Sequence, residues 1–337
     1  MDSNLFELLK KLIELDSTTG KERPIAEWVG RHLEERGFEV TRQPVNGERF
    51  NLVARFGDPI VVFSSHLDTV PEFVPFSEDE RFVYGRGACD AKGIVAAQIQ
   101  AGERLVREGI RNIGFLFLVG EEYGSDGARM ANAFPNRCQY LIGGEPTQNR
   151  LALASKGAFR IVLEFGGRSA HSACPEQGDS AVTKLLDALQ RLRQLSFPAH
   201  PVLGDTTLNI GVLSGGERAN VVPCKAVAEI LFRTSIDTNA VKEAVFQAAG
   251  PDARISVAFE SDPAFFEPVD GFETTVVPFT TDLPLLDRWG KKLLIGPGSI
   301  LDAHVPTEKV EKTELEKGVH TYCRLVKSLV SRRGIET

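Results

Sequence analysis

The chain has 337 residues and a net charge of −7; the length suits two domains, and the charge disfavours nucleic acid, whose phosphates need a basic surface. An apolar fraction of 42% against 25% charged fits a soluble globular protein with a sizeable core. No stretch approaches the roughly 18 apolar residues of a membrane span, and Met1-Asp2-Ser3-Asn4 lacks the basic and apolar regions of a signal peptide. The five cysteines (Cys89, Cys138, Cys174, Cys224 and Cys323) form no CxxC, so a reducing, cytoplasmic setting is expected and any metal must be held by histidine and carboxylate.

Residues 3–15 carry Leu5, Leu8, Leu9, Leu12 and Ile13 at helical spacing. A second amphipathic stretch runs over 25–36 and stops at Gly37. Short β-like runs follow at 39–41, 51–55 and 60–65. Residues 94–106 read as a helix, 113–119 as a buried strand, 128–133 as a short helix and 140–142 as another strand. Helices alternating with apolar strands predict an α/β architecture, with a mostly parallel central sheet flanked by helices.

From Ser155 onward the order changes to β (158–165), α (180–195), β (207–213), β (226–234), α (240–248) and β (255–259). This is the ferredoxin-like α+β order. Pro263, Pro268 and Gly271 punctuate its exit. A strand at 293–295 and a helix at 313–329 close the chain. The expected division is a catalytic domain of residues 1–154 and 264–337, with residues 155–263 inserted.

Several segments carry candidate chemistry. Val61–Ser65 is an apolar run that ends in His66-Leu67-Asp68. Residues i and i+2 of a strand point the same way, so Asp68 is expected to orient the His66 ring and leave its other nitrogen for a metal. In Gly85-Arg86-Gly87-Ala88-Cys89-Asp90 a dinucleotide loop is excluded, because the third glycine is missing and an acid stands where phosphate would approach. Asp90 just before a helix either caps it or bridges two cations. The apolar strand ending in Gly120-Glu121-Glu122 presents two diverging acids, and a buried carboxylate needs a cation or solvent. One of them can bind metal while the other faces the substrate water. Tyr140–Ile142 leads through two glycines to Glu145, and Gly296-Pro297-Gly298 leads to a lone histidine, His304. Each signal is weak alone. Together they put three strand ends and two loops at one edge of an open sheet, where ligands gather. Nitrogen and oxygen donors without sulfur suit catalytic zinc.

These residues resemble the acetylornithine deacetylase / succinyl-diaminopimelate desuccinylase / acetyl-lysine deacetylase group of dinuclear zinc hydrolases. The resemblance covers nearly the whole chain. It implies two zinc ions (Zn2+), with Co2+ or Mn2+ able to substitute. His66, Asp90 and Glu145 would hold the first and Asp90, Glu122 and His304 the second, with Glu121 as general base and Asp68 as orienter of His66. The inserted domain resembles the group's lid and dimerisation domain. There His171, in Gly167-Arg168-Ser169-Ala170-His171-Ser172, matches an oxyanion-stabilising histidine, often acting across a homodimer. Asn220 and Gly298 would bind substrate, and Arg233 matches an arginine that grips the substrate carboxylate. One departure is Asp90-Ala91-Lys92-Gly93, where the group often has methionine at the second place.

The implied activity is hydrolysis of a small-molecule N-acyl amino acid, such as acetylornithine, acetyl-lysine or acetylcitrulline, by a water that Glu121 activates. Alternatives on the same metal site are a succinyl-diaminopimelate desuccinylase and a dipeptidase or carboxypeptidase. A metal-stabilised binding protein is disfavoured, because Glu121 has no use as a ligand there. No nucleic acid or membrane partner is expected.

Overall fold

The computed structural model describes residues 3–331; Met1 and Asp2, to which the signal-peptide argument refers, lie outside the described residues. The chain divides into two compact units. One comprises Met1–Leu153, Phe266–Thr275 and Thr281–Thr337, and the other Ala154–Phe265 and Val276–Thr280. No helix among the described residues is long and apolar enough to cross a membrane.

The first unit is a mixed α/β layer structure. Its sheet runs in the order Glu39–Asn46, Arg49–Phe56, Ile113–Leu118, Val61–His66, Tyr140–Gly143, Lys291–Leu294, Leu151–Ser155. The four central strands are parallel to one another, with Val61 opposite both Ile113 and Tyr140, and Lys291 opposite Tyr140. This register brings the carboxyl ends of all four to one edge. Val61–His66, Ile113–Leu118 and Tyr140–Gly143 are buried along their whole lengths, which is why they read as unbroken apolar runs instead of alternating ones.

Helices cover this sheet, and their apolar faces share one core with it: Leu9 and Leu12 of Ser3–Glu14, Ile94 of Lys92–Arg107, and Leu315 and Tyr322 of Lys312–Ser331 meet Phe63 and Phe115. Phe63 and Phe115 stack at 5.8 Å, and Phe115 and Phe117 at 5.4 Å. Lys92–Arg107 approaches so closely that a Cβ on Gly102 would lie 2.4 Å from Phe115 Cζ.

The second unit follows the expected β-α-β-β-α-β order, as Gly157–Gly166, Ala181–Arg193, Thr207–Gly215, Lys225–Thr234, Thr238–Ala249 and Arg254–Ser261. Its antiparallel sheet runs Thr207–Gly215, Lys225–Thr234, Gly157–Gly166, Arg254–Ser261. Phe159, Ile161, Leu163 and Phe165 alternate with exposed or half-exposed residues and pack with Leu185, Leu189, Val241 and Val245 of the two helices.

Several short strands go beyond the sequence reading. Ser77–Glu78, Phe82–Tyr84 and Lys309–Glu311 form a small sheet of their own, and Leu151–Ser155, Ala264–Phe265 and Thr274–Val277 extend the large one.

Candidate metal centre and active site

The four parallel strands deliver the site at their shared edge. His66 is the last residue of Val61–His66. Glu121 and Glu122 follow Ile113–Leu118, Glu145 follows Tyr140–Gly143, and the loop to His304 follows Lys291–Leu294. Gly120 makes the turn into the two glutamates at φ +77°, where a Cβ would lie 2.2 Å from Asp126 Oδ1.

Asp90 lies between the two imidazoles. Its Oδ1 is 3.1 Å from His66 Nε2, and its Oδ2 is 3.2 Å from His304 Nε2. His304 Nε2 is also 2.9 Å from Glu122 Oε1. The ligand atoms of His66, Asp90 and Glu122 all fall within 4.8 Å of one another. Asp90 does not cap the following helix: Ala91 occupies the N-cap position, and no side chain caps there. The alternative use of its carboxylate is thereby removed.

Asp68 works differently from the sequence expectation. His66 Nδ1 meets the Asp68 main-chain carbonyl at 2.9 Å, whereas the nearer carboxylate oxygen is 3.7 Å away. The carboxylate instead accepts from the main-chain N–H of Glu121 (3.0 Å) and of Glu122 (3.1 Å), and from Thr19 Oγ1 (2.8 Å). His66 and Asp68 would point the same way only if the strand continued to Asp68, but it ends at His66. The backbone there turns its carbonyl to the ring and its side chain to the glutamate turn.

Burial dominates the electrostatics. It pushes the Glu121 and Glu145 carboxyls well above the ordinary range; the Glu145 charge adds to the effect at Glu121 and the Asp90 charge at Glu145, while the His66 charge opposes both. Glu122 is raised as well, chiefly by burial. Burial would also raise Asp90, but hydrogen bonds from His304 and His66 reverse this and leave it below its ordinary value. Those bonds, with Glu122, lift His304 to about 10. Two imidazolium rings thus balance a set of buried acids, and that is the job of a cation. The donors are nitrogen and oxygen, they converge, and one carboxylate offers a separate oxygen to each histidine. The residues fit a pair of metal ions.

His66, Glu121 and Glu145 also line a small cavity of about 20 Å³, with Ser64, Ser65, Thr281 and Asp282. Asp282 escapes the sequence reading because it follows no apolar strand. Its two carboxylate oxygens are buried without a hydrogen-bond partner among the described residues. Burial pushes its pKa up to about 7.

Gly298 lies in the turn after Lys291–Leu294, against Cys89 Sγ. The remaining expected residues lie on the second unit. His171 Nδ1 accepts from Ala173 N at 3.1 Å. Asn220 O accepts from Ser172 N at 3.0 Å, and His171 bridges Val221, so the segment of Asn220 runs beside that of His171. Arg233, on Lys225–Thr234, donates from Nη1 to Thr280 Oγ1 at 3.3 Å.

The family model described as "Peptidase family M20/M25/M40" matches residues 62–328. The chain belongs to this family. A peptidase M20 domain-containing protein of Schizosaccharomyces pombe is 36% identical over 336 residues, covering 96% of this chain and 84% of that protein. A protein of Aspergillus clavatus named probable carboxypeptidase is 37% identical over 377 residues, covering 98% of this chain and 83% of its own. The crystal structure of a tripeptidase from Staphylococcus aureus has a TM-score of 0.84 at 18% identity, covering 98% of this chain and 99% of that one, and so shares the fold. As an M20 peptidase relative, the chain is a metal-dependent hydrolase.

Proposed function

We propose that this M20 hydrolase cleaves the amide bond of an N-acyl amino acid, releasing a carboxylate and a free amino acid. The observation that carries the reading is Asp90, with one oxygen toward each of two histidines, beside the half-buried Glu121 at the same strand edge. His66, Asp90 and Glu145 would hold one zinc and Asp90, Glu122 and His304 the other, with cobalt or manganese as substitutes. Bound metal supplies Lewis-acid activation of the water and of the scissile carbonyl.

The chain's own residues supply the rest. Glu121 takes a proton from the attacking water and returns it to the leaving nitrogen, so that water is consumed and a neutral amine departs. Asp68 fixes the turn that carries Glu121, through the two main-chain N–H groups. In the neutral ring of His171, Nδ1 accepts from Ala173, so the proton sits on Nε2. That makes Nε2–H the donor for the developing oxyanion. Arg233 is assigned to the substrate carboxylate, which a guanidinium can grip with two parallel bonds. Asn220 and Gly298 are assigned to the substrate main chain.

A second reading, a carboxypeptidase or dipeptidase on the same metal site, is favoured by the relatives named as probable carboxypeptidases. Both readings cleave an amide next to a free carboxylate and differ in what lies on the acyl side. The test is a panel of N-acetyl and N-succinyl amino acids against dipeptides and tripeptides, with zinc, cobalt or manganese added. Turnover confined to peptides would overturn the first reading, and no turnover on either class would overturn both.

Homodimerisation through the second unit belongs to the same proposal. Its sheet places Thr207–Gly215 at an edge, with Val212 48% and Leu213 54% exposed, and an exposed apolar edge strand invites pairing. Light scattering that finds a monomer at all concentrations would remove this part.

A further inference from the structure

Glu308 is fully buried, with 0% exposure, and no step above uses it. Its Oε1 accepts three main-chain N–H groups, those of Gly87 (3.0 Å), Cys89 (3.1 Å) and Asp90 (3.0 Å). Its Oε2 accepts from Arg86 Nη1 at 2.7 Å. Its own carbonyl accepts from Gly85 N at 3.1 Å. The whole turn from Gly85 to Asp90 is therefore wrapped around one residue. Arg86 is held in turn by the carbonyls of Glu72 (2.9 Å) and Val305 (3.3 Å).

Two features make this more than a satisfied buried charge. One of the three N–H donors belongs to Asp90 itself, the residue that offers one oxygen to each imidazole. In addition, Glu308 stands four positions after His304, so a single segment both supplies the second histidine and grips the loop that carries the bridging acid. The positions of Asp90 and His304, 214 residues apart in sequence, are tied through one carboxylate. Charge-assisted bonds of this kind are the stronger class, and partners behind metal ligands commonly change metal affinity 10- to 100-fold when lost.

We infer that Glu308 is a positioning residue of the metal centre: it sets Asp90 against His304 and so fixes the spacing at which two metal ions can share the Asp90 carboxylate. The inference rests on the dinuclear reading above. The experiment measures metal affinity of the metal-stripped full chain by calorimetry, together with the magnetic coupling of two bound Mn2+ ions by electron paramagnetic resonance. It compares wild type with Glu308→Gln, Glu308→Asp and Arg86→Met. Glu308→Gln places an amide N–H2 against Arg86 or against the loop N–H groups, and Glu308→Asp keeps the charge but withdraws it.

Both Glu308 variants are expected to weaken the second metal event about 10- to 100-fold and to change the Mn2+ coupling. Arg86→Met leaves the three Oε1 bonds in place and is expected to lower the melting temperature while keeping both metal events within about threefold of wild type, a bound set well below that range. If the Glu308 variants lose melting temperature but keep wild-type metal affinity and coupling, Glu308 serves the fold alone and the inference is overturned. If Glu308→Gln does not fold, Glu308→Asp carries the same comparison. Should wild type itself bind one ion, or two without coupling, the dinuclear reading falls first and takes this inference with it.

Discussion

Glu121 and Glu122 are neighbours in sequence, and the structure separates them by partner. Glu122 Oε1 lies 2.9 Å from His304 Nε2. Glu121 instead lines the small cavity with Glu145 and Asp282. Changing Glu121 to Gln removes the proposed base while keeping shape. Turnover is expected to fall by at least 10²- to 10⁴-fold, the usual worth of a positioned general base, while metal content by emission spectroscopy stays at the wild-type level. Loss of metal along with activity would make Glu121 a ligand instead. Asp68 calls for a different outcome from a simple histidine orienter. Its carboxylate holds the N–H groups of both glutamates, so Asp68→Ala is expected to lower metal affinity and turnover together. A fall in turnover alone, with metal affinity unchanged by calorimetry, would return Asp68 to the role the sequence suggested. The candidate ligands were legible because each stands at the end of an apolar run or in a glycine-marked loop. Glu308 and Asp282 were not, because a buried acid in a polar loop looks in sequence like any solvated one.

At the scale of elements, legibility followed burial. Strands buried on both faces write themselves as runs such as Phe115-Leu116-Phe117-Leu118, and those of the second unit as alternations such as Phe159, Ile161 and Leu163. Leu151–Ser155 is apolar but brief, and Ser77–Glu78 is polar and exposed. Ser77–Glu78 is one arm of a short hairpin with Phe82–Tyr84, and Leu151–Ser155 exists because distant strands, Lys291–Leu294 and Ala264–Phe265, offer it hydrogen bonds that no local pattern records. The same non-local logic gives Gly102 its place. Within Lys92–Arg107 alanine would be the better helix former by about 1 kcal/mol. Here, however, a Cβ would sit 2.4 Å from Phe115 Cζ and near two further atoms of the ring, inside a core where overpacking costs about 1–3 kcal/mol. Crowding is expected to win. Gly102→Ala should lower stability by about 1–2 kcal/mol in urea unfolding. An unchanged or raised midpoint would mean that the ring yields freely and that the close approach is not what selects glycine.

For the whole molecule, the candidate metal centre also sets how the metal-free form responds to pH. Asp282 has its pKa raised by burial from 3.8 to about 7. The unfolded chain loses that proton first, so the contribution to stability is full below pH 4 and declines as pH rises toward 7. Glu121 and Glu145 are raised as well and act in the same direction. His304 is raised from 6.5 to about 10 by Asp90 and Glu122, so its contribution is full below pH 6.5 and is lost as pH climbs through 10. Both windows slope the same way, and the metal-free protein is expected to lose stability steadily from about pH 5 to pH 9. The shift from 3.8 to about 7 makes the Asp282 share on the order of 4 kcal/mol, since one pKa unit corresponds to about 1.4 kcal/mol. Metal has the opposite dependence, because its ligands must be deprotonated to bind it, and it stabilises the folded state by mass action. Melting curves with and without chelator should therefore diverge as pH rises, and Asp282→Asn should flatten the chelated series below pH 7. Parallel curves would show that the buried acids are balanced within the protein itself and that the strand ends were not assembled around a cation.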